Sequence, residues 1–137
     1  MEVLKLSARE ISYIALFESM TGAVVKDCVV DESDGRVTFV VRKGDMGIAI
    51  GRRGANVQRV AKAIGRKVEV VEHSSDPAEF VVNVLKPAKV ESVEVDEDKK
   101  QIRVRLSMHD REKMRRKVLE RVREIVKRHH DMDVVIV

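Results

Sequence analysis

Apolar residues recur along this chain in two rhythms, one of about 3.6 residues and one of two, and their order predicts its elements. Ser7 followed by Glu10 forms a capping box, Ile11, Ile14, Ala15 and Met20 recur at helical spacing behind it, and Gly22 offers the stop. Val24 to Val30 and Arg36 to Val41 are rich in β-branched residues, and Asp31 to Gly35 between them is turn chemistry, so a β-hairpin is expected. A short helical turn leads from Gly44-Asp45-Met46 to about Ile50. A loop over Gly51 to Gly54 follows, then a helix marked by Val57, Val60, Ala61 and Ile64 and closed by Gly65. Lys67 to Glu72 alternates as a strand.

His73-Ser74-Ser75-Asp76-Pro77 is the one boundary in the pattern. Asp76 is placed to cap a helix with Pro77 at its first position and Glu79 completing a box; the helix runs through Phe80, Val81, Val84 and Leu85 until Pro87. Val90 to Val95 and Gln101 to Leu106 pair around an acidic turn, and Val134 to Val137 closes the chain as a strand. Shifting the chain by 65 residues lays Val25 on Val90, Val30-Asp31-Glu32 on Val95-Asp96-Glu97, Asp45 on Asp110, Val57 on Val122 and Val70 on Val135. Two copies of one unit follow, residues 1–73 and 74–137, each helix-strand-strand-helix-helix-strand in an α+β fold. Gly51-Arg52-Arg53-Gly54 falls opposite Arg116-Lys117-Val118-Leu119, which holds no glycine and consists of good helix formers. The second copy is therefore expected to run as one continuous helix from about Asp110 to His130, with Met114, Val118, Val122, Ile125 and His129 inward.

Composition narrows what such a molecule can do. Hydrophobic residues make up 44% of 137, aromatics only 3%, so an RRM or OB surface, which stacks bases on aromatic platforms, is excluded. Net charge is +4 and unevenly spread: eight Lys/Arg face Asp45 alone between Arg42 and Lys67, and nine face four acids between Asp110 and His130. Such basic stretches attract a polyanion. A single cysteine, Cys28, in an expected buried strand allows no internal disulfide and reads as a small core residue in a reducing compartment. With no signal peptide and no apolar run near the length of about 18 residues that a membrane helix needs, the cytoplasm is the expected location.

The chemistry concentrates in Gly47-Ile48-Ala49-Ile50-Gly51-Arg52-Arg53-Gly54-Ala55-Asn56-Val57. Without a Cβ at Gly51 and Gly54 a phosphate can approach main-chain N–H groups, and the helix that follows points its uncapped, partly positive N-terminus at the same place. Arg52 and Arg53 add full charges. This is the form of a GxxG clamp for single-stranded nucleic acid; the bland alternative is a tight turn between two helices. Gly47, Gly51 and Gly54 match the spacing of neither the dinucleotide fingerprint nor the phosphate loop. His73-Ser74-Ser75-Asp76 holds nucleophile and base types, but consecutive in a linker, where helix capping explains them better. His109, His129, His130 and Asp131 have no recognised metal spacing. No catalytic role, metal or cofactor is expected.

Ile50-Gly51-Arg52-Arg53-Gly54-Ala55-Asn56-Val57, set after a helix and strand pair and before a helix and strand, resembles the KH domain of type II order. Two such units in tandem resemble the KH pair of the NusA family of transcription elongation and termination factors, in its archaeal form. The resemblance implies binding of single-stranded RNA, such as nascent transcript. It assigns Gly51 and Gly54 to backbone approach, Arg52 and Arg53 to phosphates, and Ile48, Ile50, Val57 and Val60 to an aliphatic groove for about four bases. Asn56, Arg59 and Lys62 fall on or near the exposed side of the next helix, to touch base edges or sugars or to form an ordinary polar face. In the second copy Arg111, Arg115, Arg116, Arg123 and Lys127 can attract phosphate but not clamp it. Bacterial relatives carry polymerase-binding and S1 domains ahead of the pair; Met1 leads straight into the first helix here, so contact with RNA polymerase, a partner the family suggests, does not carry over. Single-stranded DNA, or an acidic protein held by the basic faces, remains the alternative ligand.

Overall fold

A computed structural model of the chain describes residues 5–137; the expected entry from Met1 lies outside them. The chain divides into two compact units between His73 and Ser74. In the first, α1 (Ala8–Thr21) precedes β1 (Val25–Asp31) and β2 (Arg36–Val41), then come α2 (Met46–Ile50), a 3-10 turn (Arg52–Gly54), α3 (Ala55–Ile64) and β3 (Lys67–Glu72). Both halves of the Ser7–Glu10 capping box form, and Gly22 closes α1 in the left-handed region at φ +81°. β2 is central, antiparallel to β1 and parallel to β3. Parallel neighbours need a crossover, and α2 with α3 supplies it, with the glycine loop between the two helices.

The sheet and helices enclose Phe17, Cys28, Val37, Phe39, Val41, Ala49 and Val60, with the Phe17 and Phe39 ring centroids 4.3 Å apart. The inward face of α1 is Tyr13, Ile14, Phe17 and Met20. Ile11 and Ala15, two of the residues that mark the helix in the sequence, lie outside, Ile11 being 55% exposed. The helix turns Phe17 fully inward, because an aromatic side chain buries more area than an isoleucine or an alanine would.

The second unit repeats this plan with α4 (Pro77–Leu85), β4 (Val90–Asp96), β5 (Gln101–Leu106), α5 (Met108–Lys113), α6 (Arg116–His130) and β6 (Asp133–Ile136). The copies agree down to a bulge at the same place in each hairpin, between Val25 and Asp27 and between Val90 and Ser92. They also share one side-chain bond: Asp45 Oδ2 accepts the Val24 N–H and Asp110 Oδ2 the Lys89 N–H, both at 2.8 Å. The constant 65-residue shift fails only at the end. Val37 pairs with Val68 and Ile102 with Val134, and Gly65 and Asp131 are the matching left-handed helix stops, so the second copy is one residue longer between β5 and the end of α6.

Two further expectations are corrected. The single helix over 110–130 is two, because Met114 and Arg115 are extended, at ψ 113° and 150°. Ser107 caps α5 and starts it at Met108, ahead of Asp110. Continuity would have stacked Arg111 over Arg115 and Lys113 over Lys117, like charges four residues apart that oppose a helix, and propensity alone is a weak prior. Val122, Ile125 and Val126 form the buried face of α6, with Met114, Val118 and His129 half-buried. At α4, Asp76 accepts the Ala78 N–H as expected, but it is the Ser74 hydroxyl, not Glu79, that accepts the Asp76 N–H.

Candidate nucleic-acid interface

The start of α2, which leads into the loop before α3, is fixed by Asp45. That carboxylate, almost wholly buried, accepts the Val24 N–H and pairs with Arg42, and these partners, the backbone bond first, hold it below the ordinary carboxylate range. Three of the next residues then take positive φ: Gly51 (φ 75°, ψ 173°), Arg53 (φ 56°, ψ 30°) and Gly54 (φ 75°, ψ 16°). A Cβ on Gly51 would lie 2.7 Å from Asn56 Cγ and 2.9 Å from Asn56 N, so both shape and space demand glycine there. Arg53 has no such licence, and its left-handed backbone stores strain of about 1–3 kcal/mol, the kind that collects at ligand clamps. Gly54 caps α3 without a side-chain bond; the Ala55 N–H is taken up by the Arg52 carbonyl of the 3-10 turn, and the positive end of the helix stands at the turn without a capping side chain.

Arg52 and Arg53 in this turn, Arg59 further along α3 and Lys62 in its last turn are exposed, and among the described residues no side chain pairs with any of them. Ile48 is 47% exposed, Ile50 and Val57 are half-buried, and Val60 is fully buried beneath them in the core. Asn56 is half-buried and turned back, its Nδ2 donating to the Ile48 carbonyl at 2.7 Å. Ile48, Ile50, Arg52, Arg53, Asn56 and Val57 thus lie on and beside the glycine turn, while Arg59 and Lys62 follow along α3 and Val60 belongs to the core. An aliphatic strip, an uncapped helix and unpaired cations meet around a backbone left open by glycine.

The second unit arranges its cations otherwise. Arg111 and Arg115 are exposed and make no side-chain pair among the described residues. Arg116 pairs with Glu120 at 3.1 Å, Arg123 donates to the Val134 carbonyl and lies 3.7 Å from Asp133, and Lys127 reaches Asp131 at 2.7 Å. With hydrogen bonds from Lys127 and Lys100, the Asp131 carboxyl is held down to about 2. Arg123 and Lys127 line an open groove together with three carboxylates, Glu120, Glu124 and Asp133.

Of the remaining polar candidates, His129, His130, Ser74 and Asp76 have structural partners. His130 Nε2 bonds the Ser74 carbonyl oxygen at 2.8 Å, and the rings of His129 and His130 flank Phe80 at 5.3 and 5.2 Å. Asp45 was the residue whose work the loop motif did not announce. Its signal was its coincidence with Asp110 in the repeat.

A family model described as KH domain matches residues 11–100. "Probable transcription termination protein NusA" of Halobacterium salinarum is 34% identical over 95% of this chain and 95% of its own length. The protein of that name from Methanococcus vannielii is 38% identical over 79% of this chain, which spans 61% of that relative's length. The chain therefore belongs to the KH-domain family, among its archaeal NusA-like members. The crystal structure of APE1850 has the same fold, with a TM-score of 0.79 at 33% identity over 96% of this chain and 100% of that one. No helix among the described residues is long and apolar enough to cross a membrane.

Proposed function

We propose that this protein is a non-enzymatic, single-stranded RNA-binding factor of the transcription elongation and termination machinery, holding nascent RNA through the loop of its first unit. The observation that carries this reading is the Gly51–Gly54 turn, where two unpaired arginines stand at the uncapped N-terminus of α3 beside exposed Ile48. The relatives' naming supports transcription termination as the setting. On this reading the units are two KH domains, the first ending at His73 with a working clamp and the second beginning at Ser74 without one. Gly51 and Gly54 admit the backbone, Arg52 and Arg53 meet phosphates, Ile48, Ile50 and Val57 form the groove with Val60 beneath, and Arg59 and Lys62 extend the basic face. In the second unit Arg111 and Arg115 add attraction without sequence preference, while Arg116, Arg123 and Lys127, already paired, add less.

Fluorescence anisotropy with randomised RNA and DNA pools at two salt concentrations tests the reading. Arg52→Asp with Arg53→Asp should weaken RNA binding by about a hundredfold or more, since two phosphate contacts become repulsions. Unchanged affinity in a variant with native circular dichroism would overturn the clamp. Equal or tighter binding of the DNA pool would move the ligand from RNA to single-stranded DNA.

A further inference from the structure

We propose that Asn56 is a positioning residue: it holds the Gly51–Gly54 turn in its binding shape from beneath, rather than touching nucleic acid, an inference that rests on the RNA-binding reading above. α2 has only five residues, so its last carbonyls lack intrahelical donors. The Gly47 carbonyl is satisfied by the Gly51 N–H at 2.9 Å, and the Ile48 carbonyl by the Asn56 carboxamide at 2.7 Å. Asn56 thus caps the C-terminus of one helix from the first turn of the next, and the loop lies between the two ends of that bond. Its side chain also fills the space under Gly51. A Cβ there would stand 2.7 Å from Asn56 Cγ and 2.9 Å from Asn56 Cβ.

The second unit supports the coupling. With Gly65 and Asp131 as matching helix stops, Asn56 falls on Val122, a buried residue with no donor to give. Glycine turn and carboxamide staple are lost together. On α3 itself Asn56 is half-buried while Ala55, Gln58 and Arg59 are exposed, so the residues free to meet a ligand are its neighbours.

The test compares Asn56→Ala and Asn56→Asp with Arg59→Ala. Asn56→Asp keeps the size, removes the donor and leaves an acid in the first helical turn, where it is tolerated, so it covers the case in which Asn56→Ala folds poorly. Amide hydrogen exchange at residues 51–54 is measured by NMR in the free protein, and affinity with a randomised single-stranded RNA pool. Both Asn56 variants should speed exchange in the free loop by about tenfold, the scale of one lost hydrogen bond, and Asn56→Ala should weaken all RNAs alike by a similar factor. Arg59→Ala should leave free-loop exchange unchanged. Unaltered exchange in the Asn56 variants would overturn the proposal, whether affinity stays the same or falls at one base position. A wild-type protein that does not bind the pool would instead overturn the RNA-binding reading, and the exchange measurement would still decide the staple.

Discussion

Gly51 and Gly54 look equivalent in the sequence and are not equivalent in the fold. Gly51 combines φ 75° with ψ 173° and has Asn56 pressed against it, whereas a Cβ on Gly54 would meet nothing closer than Gln58 Nε2 at 3.7 Å. Gly51→Ala should therefore destabilise the protein by about 1–3 kcal/mol, while Gly54→Asn, a residue that tolerates the left-handed region, should cost less than half as much. Urea denaturation midpoints of the two variants check this. Asp131 carries a second prediction at this scale. Its folded-state value near 2 lies below its ordinary one, so the attraction from Lys127 and Lys100 is present above about pH 4 and lost as pH falls through about 2. A carboxyl NMR titration should find Asp131 charged at pH 3, with the shift shrinking in high salt because the group is exposed. The loop was legible in the sequence because glycine and arginine announce their conformational and electrostatic roles by type. The commitment of Arg123 was not, since Asp133 and the Val134 carbonyl are brought to it only by the turn from α6 into β6, whereas Lys127 and Asp131 stand at a helical i,i+4 spacing that the sequence already holds.

Strands and caps were the elements the sequence described well: β-branched runs, Ser7 with Glu10, Gly22 and Gly65 all sit where local chemistry put them. The break between α5 and α6 was hidden because nothing at Met114-Arg115 is a helix breaker; the interruption answers to Ser107, to like charges and to the crossover that parallel β5 and β6 require. The bond from Asp45 to Val24 and its twin from Asp110 to Lys89 tie the start of each crossover to the first strand of each hairpin. Asp45→Ala and Asp110→Ala should each lower the melting temperature by several degrees, because each leaves a strand-edge amide without its acceptor. Thermal denaturation of the two single variants is the check. Two equal losses are expected if the bond does the same work in both copies.

At the scale of the whole molecule the duplicated plan carries unequal chemistry. Among the described residues the first copy leaves Arg52 and Arg53 unpaired around an open backbone; the second closes the backbone with side chains and spends Arg116, Arg123 and Lys127 on its own carboxylates. A selection of RNA ligands from a random pool measures this division most directly, with wild type, Gly54→Asp and Arg115→Ala/Arg116→Ala side by side. One working clamp predicts a preferred motif of about four nucleotides, erased by Gly54→Asp. The arginine pair variant should return the same motif with weaker binding of every sequence and a shallower salt dependence. A motif of about eight nucleotides or more, twice the span of one KH clamp and partly lost in the Arg115→Ala/Arg116→Ala variant, would show that the glycine-free copy reads bases and would contradict the account.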